Sequence, residues 1–307
     1  MTESASTTSP PNKILLATDL SARCDRALDR AVQLARQWQV PLLLVHALSR
    51  ESADPWPTHD DMPSARPVPD PAALIERQLR RDLRDDVPGL AIHVLEGEPA
   101  EVILDVAKRE GCELIVLGTA RETFGRSFLG NTVEYLVRKS PASVLIVKKR
   151  PRGPYQHVLV GTDFTVESRH GLTAAAALFP QARFTLMHAL DIPYQSLWLD
   201  AKHRQDFTRM EMATIESFVA DAQLPIDIRQ RIQLLVEHGP PEFLLQRYVL
   251  EQDADLAVIG AFRRGLSFHV LIGGTTRRLV QTIPSDILVV RAPASPAAVQ
   301  PGESSHT

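Results

Sequence analysis

Cysteine is scarce: the 307-residue chain has two, Cys24 and Cys112. They share no CxxC spacing, so they support neither a metal centre nor a disulfide framework, and they fit two reduced thiols. Long apolar runs are missing as well; none approaches the roughly 18 residues of a membrane span. Charge of one sign is not in excess. A net charge of -3 gives no electrostatic reason to expect nucleic acid as a partner. The catalytic signatures are absent too. There is no G-x-x-x-x-G-K-[ST], no G-x-S-x-G and no G-x-G-x-x-G. The H-x-G-H and S-G-G-x-D-S signatures of adenylyl-transferring enzymes do not occur. No general base has a compelling neighbour, so no catalytic residue is assigned and an enzyme is not expected. Residues 1–12 are polar without an apolar signal core, and read as a disordered tail on a cytoplasmic protein, with residues 293–307 as a second tail.

What the sequence does have is a repeat. "KILLATDLSARCDRALDRAVQLA" from Lys13 parallels "HVLVGTDFTVESRHGLTAAAALF" from His157. "PLLLVHAL" from Pro41 parallels "RFTLMHAL" from Arg183, and "SPASVLIV" from Ser140 parallels "IPSDILVV" from Ile283. A fourth pair, "EGEPAEVIL" in the first half and "EHGPPEFLL" in the second, lies between them. The offsets agree: Asp19 and Asp163 are 144 apart, His46 and His188 are 142 apart, and Gly118 and Gly260 are 142 apart. Four blocks in one order make a tandem duplication. The expected domains are 13–149 and 157–292, joined by a proline- and glycine-bearing linker at 150–156.

Each half alternates short apolar runs with helix-spaced stripes. "KILLATD" and "PLLLVHAL" read as strands buried on both faces. Ala27, Ala31, Leu34, Ala35 and Trp38 make one apolar helix face. The proline-rich segment 51–71 reads as a loop, the region Leu74–Leu83 as a helix, and Pro99 as a helix start. Gly111 fits a helix stop. Five strands with crossover helices predict an open parallel α/β sheet in each half, with helices on both faces. Such sheets take ligands beyond the carboxyl ends of their strands. The fifth strands would be bare edges in an isolated half, and bare edges are normally covered. Val144–Val147 is therefore expected to pair with Ile287–Val290, making the chain a pseudo-dimer. Further pairing into a homodimer is left open.

These blocks, with the strand-end "TD" and the glycine loop before the last helix, resemble the universal stress protein family in its tandem form. The resemblance runs from about Lys13 to Arg291. It implies two Rossmann-like domains of the adenine nucleotide alpha hydrolase type. It also implies ATP or AMP lying across the strand ends, with any Mg2+ held by the phosphates. In the first half it points to Ala17, Thr18, Asp19, Ala47, Gly118, Arg121, Gly130, Asn131 and Thr132. In the second half the matching residues are Gly161, Thr162, Asp163, Ala189, Gly260, Arg263, Gly273, Gly274 and Thr275. Glycine lets backbone amides approach phosphate, and a free helix start favours an anion.

Three departures weigh against a nucleotide. The family's loop reads G-x-x-G, nine residues, then G-[ST]. Arg121 and Arg263 replace the second glycine, at roughly 1 kcal/mol or more if that position needs positive φ. A relaxed loop would instead let the guanidinium hold phosphate. Asn131 and Gly274 lack the hydroxyl, and the first-half interval is one residue short, so spacing favours the second half. Each residue also has a plainer role. Asp19 and Asp163 fit helix capping as well as ligand contact. His46 and His188 fit satisfied strand-end histidines, the glycines fit tight turns, and the arginines fit solvated loop charges. His203, Asp206, Met210 and Met212 lie on a helix face rather than a metal site. Three functions remain open, in this order: a stress-response regulatory protein that binds an adenine nucleotide in at least one domain, a tandem scaffold without nucleotide that engages protein or small-ligand partners, and a slow nucleotide hydrolase.

Overall fold

Ile14–Ala17, buried throughout, forms β1, and Leu42–Leu48 forms β2 beside it in parallel. Strands covered by helices on both faces need side chains that are apolar on both sides, which is why these runs do not alternate. The computed structural model describes residues 9–22, 24–48, 70–83, 87–119, 121–123, 126–128, 130–190, 201–261 and 274–292. The expected tails at 1–8 and 293–307 and most of the expected loop at 51–71 lie outside these. Residues 9–12 do not: Pro11 is buried, and the Asn12 N–H donates to Glu113 Oε2 at 2.8 Å.

In the first half follow α1 (Asp25–Trp38), α2 (Pro71–Asp82), β3 (Ala91–Glu96), α3 (Pro99–Arg109), β4 (Leu114–Gly118), β5 (Arg121–Thr123), β6 (Arg126–Phe128), α4 (Asn131–Lys139) and β7 (Ser143–Val147). In the second come β8 (His157–Thr162), α5 (Val166–Leu178), β9 (Arg183–Leu190), α6 (Ala201–Asp221), α7 (Ile226–Arg231), β10 (Gln233–His238), α8 (Pro241–Gln252), β11 (Leu256–Ala261), α9 (Gly274–Thr282) and β12 (Asp286–Arg291). The α1 stripe buries Ala27, Ala31, Leu34 and Ala35 as its spacing requires. α2 starts earlier than its apolar pattern suggests. Asp70 accepts from Ala72 N as N-cap and Pro71 opens the helix, a start that a search for apolar spacing passes over.

The sheet has ten strands in the order β10-β9-β8-β11-β12-β7-β4-β1-β2-β3. All neighbours are parallel except at the centre. There β12 meets β7 antiparallel, with Ile287 opposite Ile146, Leu288 opposite Leu145 and Val289 opposite Val144. The two fifth strands thus cover each other's edges inside one chain, as expected. A two-stranded hairpin, β5-β6, stands apart within the glycine loop. Among the described residues, no helix is long and apolar enough to cross a membrane.

The central junction carries more than a ladder. Lys148 follows β7 and is fully buried, and its Nζ donates to the carbonyls of Val280 (2.6 Å) and Ile283 (2.5 Å) at the end of α9. The mirror contact runs the other way. Arg291 ends β12, and its guanidinium donates to Val137 O in the last turn of α4. Each half lends a cation to the negative end of the other half's last helix. Beside them lies Asp286, wholly buried. It accepts from Lys148 N (2.8 Å), Lys149 N (2.9 Å) and Tyr155 Oη (2.7 Å), and stands 3.6 Å from Arg30 Nε. Tyr155 belongs to the segment read as a linker, yet it is buried with Arg30 3.9 Å over its ring.

His157, 4% exposed, titrates with folding. Arg183 donates to its Nδ1 at 2.9 Å. Burial first, then the Arg183 charge, hold its pKa below the ordinary 6.5. The unfolded chain gains a proton as pH falls below that value while the folded chain does not. Stability present above pH 6.5 is therefore lost as pH falls through the folded pKa. Thermal midpoints are expected to drop on going from pH 7 to the mid-5 range, and His157→Gln is expected to flatten that slope.

Candidate functional site

The strand ends of the first half are shaped by a turn that the second half repeats. Leu20 N donates to Thr18 Oγ1 (3.1 Å), and Ser21 N donates to Asp19 Oδ1 (2.9 Å). In the second half Phe164 N donates to Thr162 Oγ1 (3.0 Å), and Thr165 N to Asp163 Oδ1 (3.2 Å). Leu20 and Phe164 both take left-handed backbone, φ 61° and 62°, which the flanking bonds hold against its cost. The aspartates therefore tie down the strand-to-helix turn. They are not the helix N-caps: Cys24 stands at that position before α1, and Thr165 caps α5 by accepting from Ser168 N.

The histidines repeat as well. His46 Nδ1 lies 2.9 Å from Thr18 O, and His188 Nδ1 lies 2.9 Å from Thr162 O. A carbonyl only accepts, so each Nδ1 carries the hydrogen, which makes Nε2 an acceptor whenever the ring is neutral. In the second half that nitrogen stands 3.8 Å from Glu211 Oε2, and the ring stacks on Phe164 at 4.2 Å. In the first half His46 lines a cleft instead.

That cleft, about 200 Å3, opens at the carboxyl ends of β1, β2 and β4. It gathers Ala17, Thr18, Asp19, Ala47, Gly118, Gly130 and Thr132, seven of the nine first-half residues singled out from the sequence. Asn131 is the first residue of α4, beside two of them, and Arg121 opens β5. Val45, Ile103, Leu117 and Val133 supply apolar walls, and Cys24, His46, Pro99 and Thr119 complete the lining. Of these the sequence marked His46 by its repeat. The α3 wall had no signal beyond ordinary core spacing. Burial pushes the Cys24 thiol up to about 11, so it stays protonated at neutral pH. α4 begins after Gly130 with no side-chain cap, leaving its first-turn amides without that partner.

In the second half Gly161 and Thr162 end β8, Asp163 follows, Ala189 lies in β9 and Gly260 in β11, while Gly274 and Thr275 open α9. Arg263 and Gly273 lie outside the described residues. Gly260 has a packing reason to be glycine. A Cβ there would come 2.3 Å from Glu167 O and 2.7 Å from Ser168 N, since the first turn of α5 rests on it. No group of three or more His, Cys, Asp or Glu among the described residues is placed to hold a metal ion.

Comparison with known proteins agrees with this architecture. The model of the universal stress protein family matches twice, over residues 11–148 and 154–291. A universal stress protein of Mycolicibacterium smegmatis is 22% identical over 300 residues, covering 91% of this chain and 96% of that protein. One from Thermus aquaticus is 31% identical over 144 residues, 44% of this chain and 97% of its own length. A local match to the universal stress protein E homolog of Haemophilus influenzae, 44% identical over 57 residues, spans 18% of that protein. Among solved structures, a universal stress protein of Pseudomonas aeruginosa superposes with a TM-score of 0.64 at 21% identity, covering 91% of this chain and 93% of that one. One from Archaeoglobus fulgidus gives 0.64 at 15% identity, covering 91% and 98%. With two matches spanning nearly its whole length, the chain belongs to the universal stress protein family, as a tandem of two domains.

Proposed function

We propose that the chain is a stress-response regulatory protein that binds an adenine nucleotide, ATP or AMP, in the strand-end cleft of its first domain. The observation that carries this reading is that seven of the nine residues implied by the family resemblance line one cleft beside an uncapped helix start. The apolar walls suit a base, and His46 Nε2 offers an acceptor to an exocyclic amine. The phosphates fit the start of α4, where free amides and the positive helix end favour an anion, and the Thr132 hydroxyl adds a donor. Pockets that enclose a drug-sized ligand hold about 300 Å3 or more. A smaller cleft takes base and sugar and leaves the phosphates at its mouth, where they would hold any Mg2+. Occupancy then acts by differential affinity for two surface states, not by turnover. The small volume also favours a second reading, in which the tandem serves as a scaffold without nucleotide.

Titration calorimetry of the full chain separates them. Thr132→Asp is the informative variant, because a carboxylate in the first turn complements the helix dipole while repelling phosphate. It is expected to weaken ATP about tenfold or more, a loss of about 1.4 kcal/mol. The matching Thr275→Asp is expected to leave the affinity unchanged. Loss on Thr275→Asp alone would move the site to the second domain. Absence of heat from ATP and AMP at millimolar concentration would leave only the scaffold.

A further inference from the structure

The matching helices α3 and α8 differ along one stripe. On α8, Phe243 and Leu250 stand two turns apart on the same face and are 64% and 66% exposed. Their helix buries Leu244, Leu245, Tyr248 and Val249 instead. At the 142-residue offset that relates Gly118 to Gly260, the corresponding α3 positions hold Glu101 and Lys108, both exposed. The fold therefore accepts charge at both places, and the second domain keeps apolar side chains in water there without a folding reason.

The surroundings of the stripe are charged in one sense. Leu250 lines a groove of about 350 Å3 together with Lys149, Arg150 and Arg152 of the interdomain segment. Those three are exposed, and among the described residues their side chains enter no ion pair. The cations nearer the stripe's centre are already matched. Arg247 is paired with Glu237 and Glu251, and Arg278 with Glu242. Asp253 and Asp255 also line the groove, but Asp255 accepts from the Gln156 and His157 amides. Three cations thus face two carboxylates beside Leu250, and the balance of the groove is positive.

We propose that this face docks an acidic amphipathic helix of another protein, whose two apolar anchors sit two turns apart and whose carboxylates lie over Lys149, Arg150 and Arg152. Anchors at that spacing are how a helix is read by an apolar stripe. A second copy of this chain fits poorly, because it would bring cations against cations.

The probe is a fluorescein-labelled synthetic helix with leucines seven residues apart and glutamates on its flanks, with a lysine-flanked counterpart as control, followed by anisotropy against the full chain. The acidic peptide is expected to bind, weakening about tenfold as salt rises and screens the pairing. The lysine peptide is expected not to bind. In the combined variant Phe243→Glu, Leu250→Lys, which installs what α3 already carries, binding should fall at least tenfold with the thermal midpoint unchanged. The proposal is overturned by unchanged binding to that variant, by equal binding of the two peptides, or by no binding at millimolar peptide. It is equally overturned if the wild-type chain sediments as a dimer that the variant converts to monomer, since a second copy would then own the face.

Discussion

Asp286→Ala is expected to destabilise the protein by about 3–5 kcal/mol, the range found when one partner of a buried ion pair is removed. Asp286 is 0% exposed, and the Arg30 side chain beside it is 5% exposed. Truncation would take the counter-charge from that guanidinium, which keeps Gln33 Oε1 and Gly153 O as acceptors, and would strand the Tyr155 hydroxyl and two backbone N–H groups. At about 2–4 °C per kcal/mol for chains of somewhat smaller size, the midpoint should fall by roughly 10 °C. Asp286→Asn, which keeps an acceptor for the amides, should cost markedly less. The cluster is not a strong net source of stability as it stands. Burial raises the Asp286 pKa above 3.8 despite the amides of Lys149 and Lys148, Tyr155 and Arg30, which all pull the other way. A paired replacement, Arg30→Met with Asp286→Leu, removes both charges and is expected to recover only the part of the loss due to the uncompensated guanidinium, since the Tyr155 hydroxyl and the two amides stay stranded. Thermal unfolding of the wild type, Arg30→Met, Asp286→Leu and the double variant closes that cycle. A single variant and a double variant equally unstable would show that the ion pair is not the coupling element.

Gly260→Ala is expected to be the next most damaging single change, at about 3 kcal/mol. The atoms its methyl would meet, Glu167 O at 2.3 Å and Ser168 N at 2.7 Å, are backbone and cannot swing aside. Relief requires the first turn of α5 to lift from the end of β11. Gly171→Ala makes the useful comparison. Its Cβ would stand 3.3 Å from Gly260 N, a tight but adjustable contact, and its cost should be under half as large. Urea titrations that rank the two the other way would contradict the close approach.

Much of the architecture is legible in the chain because duplication states it twice. Asp19 with Asp163, His46 with His188 and Gly118 with Gly260 mark strand ends in both halves. Unprotected fifth strands imply their pairing on general grounds. Ala17, Thr18, Asp19, Ala47 and Gly118 of the cleft lie in the same blocks, while Gly130 and Thr132 come from the glycine loop of the family resemblance. What resists reading is local or long-range in ways a pattern misses. β5 and β6 have three residues each, too short for any period to declare. Asp286 occupies the place of Ser143 at the start of a strand, where a carboxylate reads as solvated. Its partners Lys148, Tyr155 and Arg30 lie more than 130 residues away. The stripe on α8 is visible as Phe243 and Leu250 only once burial shows that the opposite side of the helix faces the core. The functional role of Asp19 divides likewise: the sequence places it at the strand end, and the structure shows that its carboxylate braces the turn.

The exchange of cations between last helices has an evolutionary corollary. After duplication, sister sequences ordinarily drift apart without regard to one another. Here Lys148 is answerable to a helix encoded more than a hundred codons downstream, and Arg291 to one as far upstream. Divergence at either terminus must be matched in its sibling, so the pair ages as a single gene.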